Sequence, residues 1–184
     1  MIDRVVATVG DRAITQSDLR AAVDLGLVAR PDGPDGDAAA LQALIDRTLV
    51  EQEVARYGPG TPDERLVEQR LEAIEARLGR DGLTAVMARS GLDEPRLRAI
   101  VRGEIEIERY LADRFGAAAQ PTDDEVRQYY RDHQEEFTRD GQVVPFEEAE
   151  ALARATLSER RRRRLIDGWV EGLRRRAAIR RLWP

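Results

Sequence analysis

The chain has 184 residues, 42% hydrophobic and 35% charged, which suits one globular domain or one domain with an extension. Aromatic residues make up only 5%, so a core must come from Leu, Ile, Val and Ala, which favours helix-on-helix packing over a sandwich. Cysteine is absent, which excludes disulfides, thiol nucleophiles and thiolate metal sites, and no apolar run nears the roughly 20 residues that a bilayer crossing needs.

The net charge is −5 with the two signs interleaved, so the global field gives no reason to expect a nucleic-acid partner. All 30 basic residues are arginine, a coding bias that also suits ion-pair networks.

Arg4 to Val9 is a short β-branched run, Gly10-Asp11 is a turn pair, and Arg12-Ala13-Ile14 is a second extended piece, together a small hairpin. Two strands alone are marginal in water and need a cover or a third strand. The alternation of apolar and basic residues over Ala178 to Trp183 supplies one, and the two chain ends are expected to meet.

Thr15 is placed to cap a first helix, with Asp18 at its third position, running to about Val28 on a Leu19, Val23, Leu27 stripe. The loop Arg30 to Gly36 ends it. Asp37 is expected to cap a second helix carrying Leu41, Leu44, Ile45, Leu49 and Val54, which stops before Gly58-Pro59-Gly60. Thr61-Pro62-Asp63-Glu64 predicts a third start, with Thr61 as cap and Pro62 as first helical residue; Val67, Leu71, Ile74 and Leu78 follow, and Gly79 stops it. A short fourth helix spans Leu83 to Arg89.

The fifth helix, about Asp93 to Arg114, carries Ile100, Val101, Ile105, Ile107 and Leu111 over a wide arc, the pattern of a helix wrapped by neighbours or presenting apolar surface. Thr122-x-x-Glu125 boxes the start of a sixth, ending near Phe137. Thr138 to Val144 is a connector. Pro145 opens a last helix to Arg176 with a stripe of Phe146, Ala149, Ala153, Leu157, Leu165, Trp169 and Leu173.

No enzyme constellation emerges. Arg160 to Arg164 is a run of five arginines, but consecutive helical residues point in all directions and cannot form one phosphate-binding stripe. His133 is the sole histidine, which removes a multi-histidine metal site, and it reads as a surface residue near a helix C-terminus. Ser17, Ser90 and Ser158 sit in no nucleophile elbow, and neighbouring glutamates such as Glu104, Glu106 and Glu108 suit an ordinary charged helix. No cofactor and no metal are expected.

The segment IDRVVATVGDRAITQSDL, Ile2 to Leu19, resembles the N-terminal signature of the SurA-like periplasmic chaperones. PTDDEVRQYYRDHQEEF, Pro121 to Phe137, is similar to the segment that leads into the parvulin-type prolyl isomerase domain in the same family. PFEEAEALARATLSERRRRRLIDGWVEGLRRRAAIRRL is similar to the family's C-terminal helix and strand.

The resemblance implies a mainly α fold, a multi-helix core like the SurA N-terminal domain, with a small β-sheet formed by the N-terminal hairpin and the C-terminal strand. It divides the chain into a chaperone core at 1–120, a short helix and connector at 121–144 where the isomerase domain would stand, and a long helix and strand at 145–184 that return to the core, one structural domain overall. Seven connector residues cannot hold a catalytic fold of about a hundred residues, so no prolyl isomerase activity is expected.

What the resemblance then implies is a periplasmic holdase for unfolded or partly folded polypeptides such as outer-membrane protein precursors, with a targeting segment that once preceded Met1. Its candidate client-binding apolar surface is Leu83, Val86, Met87, Ile100, Ile105, Ile107 and Leu111. The alternative is a non-catalytic scaffold that binds a specific folded partner, or a homodimer formed by exchange of the C-terminal helix and strand.

Overall fold

The computed structural model describes residues 3–58, 60–139 and 141–182. The parts of the sequence reading that fall on Ile2, Pro59, Trp183 and Pro184 lie outside them. β1 (Val5–Val9) and β2 (Arg12–Thr15) form an antiparallel hairpin whose turn depends on Gly10 at φ 58°, a conformation that glycine adopts without steric cost. β5 (Ile179–Arg181) pairs antiparallel with the other side of β1, so the sheet order is β2-β1-β5. The chain ends meet as the sequence predicts. Gly10 donates its N–H to the Ala178 carbonyl and Leu182 donates to the Val6 carbonyl, each at 2.9 Å.

The other elements are helical: α1 (Gln16–Asp24), α2 (Gly36–Tyr57), α3 (Glu64–Leu78), α4 (Arg80–Ser90), α5 (Glu94–Phe115), α6 (Asp123–Asp132) and α7 (Phe146–Arg176). The protein is mainly α with a small antiparallel sheet, and Thr138–Arg139 and Gln142–Val143, β3 and β4, add a minor hairpin within the connector.

Several boundaries differ from the sequence reading for local reasons. α1 stops at Asp24 because Gly26 turns left-handed at φ 73° and the N–H groups of Leu27 and Val28 fold back to the Ala22 carbonyl. Leu27 therefore leaves the helix stripe. Asp37 pairs with Arg30 and does not cap α2, whose cap residue is Asp35. α3 is capped by Asp63, which accepts the Arg65 N–H at 2.9 Å, so Thr61 and Pro62 precede the helix.

α4 begins at Arg80, and α6 ends at Asp132 with a 3-10 turn over Gln134–Phe137. Leu165 stays 39% exposed, while Val170, which the stripe did not include, is buried.

By internal contacts the chain forms two compact units, one taking residues up to Tyr110 with those from Val170 onward, the other Leu111–Trp169. In the first, Leu25, Val67, Ile74, Val86, Leu97, Val101 and Ile105 form a core cluster, while Ile45, Val6 and Val9 are fully buried near the sheet. In the second, Val126, Tyr129, Phe137, Ala149, Ala153 and Leu157 form a core cluster with Tyr130, Val144 and Phe146 packed against it.

Candidate functional site

In the first unit, β2, α1, α2 and α5 surround a concavity of about 380 Å³. Its apolar lining combines buried Ala22, Leu44, Val54 and Ile107 with half-buried Leu27 and Ile100. The polar side chain within that lining is already satisfied: Thr48, 1% exposed, donates its hydroxyl to the Leu44 carbonyl at 2.8 Å. Such a surface gains from covering apolar groups.

Several of the charged side chains along the groove are linked to one another. Arg47 pairs with Glu51 at 3.0 Å and with Glu104, and Arg12 also reaches Glu51, so β2, α2 and α5 are tied by one chain of ion pairs. Asp18 is committed to the α1 capping box, where it accepts the Thr15 N–H at 2.9 Å while its own N–H donates to the Thr15 hydroxyl. Among the described residues, the lining side chains of Arg96 and Glu106 have no such partner.

α5 forms one wall. Arg96, Ala99, Gly103 and Glu106 recur at helical spacing on it, and the two small residues keep its middle low. A Cβ added at Gly103 would meet nothing within 4 Å, so the wall is open there.

A second concavity of about 580 Å³, lined by Arg70, Ile74, Arg77 and Val101, shares Leu27 and Ile100 with the first. Those two side chains are thus the partition between them. The loop that carries Leu27 is held by Arg77, which donates to the Leu25 carbonyl at 2.7 Å, and Arg70 forks onto Glu108 at 2.8 and 2.9 Å. The hydrogen bonds to the Glu108 carboxylate raise the Arg70 pKa above its ordinary value.

The second unit has its own polar cluster beside a concavity of about 440 Å³. Tyr129 donates its hydroxyl to Glu136 at 2.6 Å, and Arg160 donates to the same carboxylate at 2.8 Å. Burial and then the Glu136 bond push the Tyr129 pKa up to about 12, and Glu136 is lowered by the Tyr129 and Arg160 hydrogen bonds. A tyrosine held protonated over a held carboxylate is a structural latch and a poor proton shuttle at neutral pH.

His133 caps the end of α6, stacks on Tyr129 with ring centroids 4.2 Å apart, and sets Nδ1 3.0 Å from the Tyr129 carbonyl. The arginine run fans outward: Arg160 reaches Glu136, Arg161 reaches Glu125 at 2.7 Å, and Arg162 reaches Glu159 at 2.8 Å.

The seven residues singled out from sequence do not share one surface. Val86 and Ile105 lie in the core cluster, with Leu83 and Met87 half-buried against it. Ile100 and Ile107 line the groove, and Leu111 belongs to the second unit. Sequence reasoning missed Ala13, Leu27, Ala99 and Gly103; the small pair at i and i+4 on an otherwise bulky helix was the available signal for the last two.

Among the described residues, no group of three or more His, Cys, Asp or Glu side chains is placed to hold a metal ion, and no helix is long and apolar enough to cross a membrane. No protein-family model matches the chain, and no curated protein matches it.

Proposed function

We propose that this protein is a non-catalytic extracytoplasmic chaperone that holds unfolded polypeptides, outer-membrane β-barrel precursors among them. The observation that carries this reading is the groove of the first unit, an apolar lining of about 380 Å³ edged by ion pairs that keep its margins hydrated. A holdase needs apolar surface and no reactive group, and the groove offers that combination.

Two further features support it. The N-terminal strand signature and the C-terminal strand that resemble the SurA-like chaperones are neighbours in one sheet. At the place where isomerase-bearing proteins of that kind carry their catalytic domain, this chain runs through a hairpin from Thr138 to Val143 straight into α7.

The test is aggregation of a urea-denatured β-barrel protein diluted into buffer. Equimolar addition of this protein is expected to suppress light scattering, and the same preparation is expected to leave prolyl isomerisation of a reporter peptide at its uncatalysed rate. Absence of suppression at every ratio would remove the holdase reading. Release of the natural gene product by osmotic shock is the expected sign of a periplasmic location, and retention with the cytosolic fraction would count against it.

A further inference from the structure

The sheet has a free edge inside the groove, and the alternation of its hydrogen bonds fixes which groups are free. The N–H of Gly10 goes to Ala178 and the carbonyl of Val6 takes Leu182, so even-numbered residues of β1 direct their backbone groups toward β5. The odd-numbered Ala7 and Val9 therefore face β2, where they oppose Ile14 and Arg12. Ala13, opposite Thr8, is left with its N–H and carbonyl directed away from the sheet, and among the described residues neither has a partner.

The next outward amide on β2, that of Thr15, is occupied by the Asp18 carboxylate. The open edge is thus one residue long at Ala13, which is exposed and lines the groove. The outer edge of β5 contributes nothing to that lining.

Also lining the groove is the α5 wall, with Arg96 at one end and Glu106 at the other, side chains without a partner among the described residues, and Ala99 and Gly103 between them. Ten helical residues span about 15 Å, the length of about five residues of extended chain.

We infer that the groove takes an extended segment of unfolded polypeptide that adds to the β2 edge through the N–H and carbonyl of Ala13, carrying alternate apolar side chains with an acidic residue at the Arg96 end and a basic one at the Glu106 end. This deepens the holdase reading and rests on it. Main-chain pairing supplies tolerance of sequence, and the two opposite end charges supply the preference.

The probe is a fluorescein-labelled five-residue peptide with a Val-Thr-Val alternation between an aspartate and an arginine, read by fluorescence anisotropy, together with a twin N-methylated at its central amides. N-methylation is expected to weaken binding about tenfold, and Ala13→Pro, which removes the outward donor at an edge position where proline is tolerated, by a similar factor. Replacing the terminal Asp and Arg of the peptide by serine is expected to weaken it several-fold and to flatten its salt dependence.

Gly103→Leu fills the open wall and is expected to abolish binding. Equal affinity for the parent and N-methylated peptides overturns the inference, and because that arm uses the unaltered protein it decides the matter even where Ala13→Pro does not fold. Should N-methylation have no effect while Gly103→Leu still abolishes binding, strand pairing falls and the groove stands. Failure of the unaltered protein to bind the peptide, with aggregation still suppressed, also overturns the inference and leaves the holdase reading intact.

Discussion

The hydrogen-bond alternation that frees Ala13 has a consequence for stability on the far side of the sheet. Arg180 opposes Thr8, an even-numbered residue, so its N–H and carbonyl point into the β1–β5 ladder, whereas those of Arg181 point outward. Both side chains are exposed. Arg180→Pro therefore removes a ladder donor and leaves the half-buried Thr8 without its partner. A net hydrogen bond of about 1 kcal/mol and an unsatisfied carbonyl of about 1–2 kcal/mol give a loss of about 2–3 kcal/mol.

Arg181→Pro removes an outward donor and an exposed contact from the Arg181 guanidinium to Gln42, and is expected to cost well under about 1 kcal/mol. At about 2–4 °C per kcal/mol for a chain of this length, thermal denaturation followed by the helical circular dichroism signal should show a midpoint lower by about 5–10 °C for the first variant and by less than about 3 °C for the second. Equal or reversed losses would refute the alternation and, with it, the assignment of a free edge at Ala13.

Glu125, lowered from 4.5 to about 2 by the Arg161 hydrogen bond and then by Thr122, contributes stability that is present above pH 4.5 and is lost as pH falls toward 2. Urea midpoints measured across that window should fall less steeply for Glu125→Gln than for the unaltered protein. Gly103→Ala, in a helix interior with open space at the new Cβ, should raise stability by about 0.5–1 kcal/mol, read as a higher thermal midpoint, without closing the groove. Phe137→Ala empties a site that is 4% exposed at the centre of the second unit and should cost about 3–5 kcal/mol, read as accelerated tryptic cleavage between residues 111 and 169.

What the sequence disclosed follows from how local each determinant is. The capping boxes at Thr15 and Thr122 and the glycine stop at Gly79 act within one turn, and the structure reproduces each where the sequence places it. The β1–β5 pairing is long-range, yet it was legible because an unpaired hairpin needs a third strand and few segments alternate. The early end of α1 was not, since Gly26 sits in a run that otherwise reads as helix and only Arg77, fifty-one residues on, shows why the turn is held.

The groove was the hardest to foresee. Bulky residues mark a surface in sequence, whereas Ala13, Ala99 and Gly103 matter for the space they leave, and space is visible only once β2 and α5 stand against each other.

The same economy explains how an open strand edge can be carried safely and used reversibly. An edge with many free backbone groups would template pairing between copies, a hazard that proteins blunt by keeping edges short. On β2 the Asp18 capping box occupies the Thr15 amide, and Arg12 and Ile14 are turned inward, so the free edge shrinks to Ala13 alone. One residue offers two hydrogen bonds, worth about 1–3 kcal/mol net, and one or two apolar side chains entering the groove add about 1.5–3 kcal/mol each. After the entropy of ordering an extended segment is subtracted, the sum corresponds to weak binding at any single site. Weak binding at one site is what the proposed role requires, since a client must leave to fold, and a long client can engage again through its next alternating stretch.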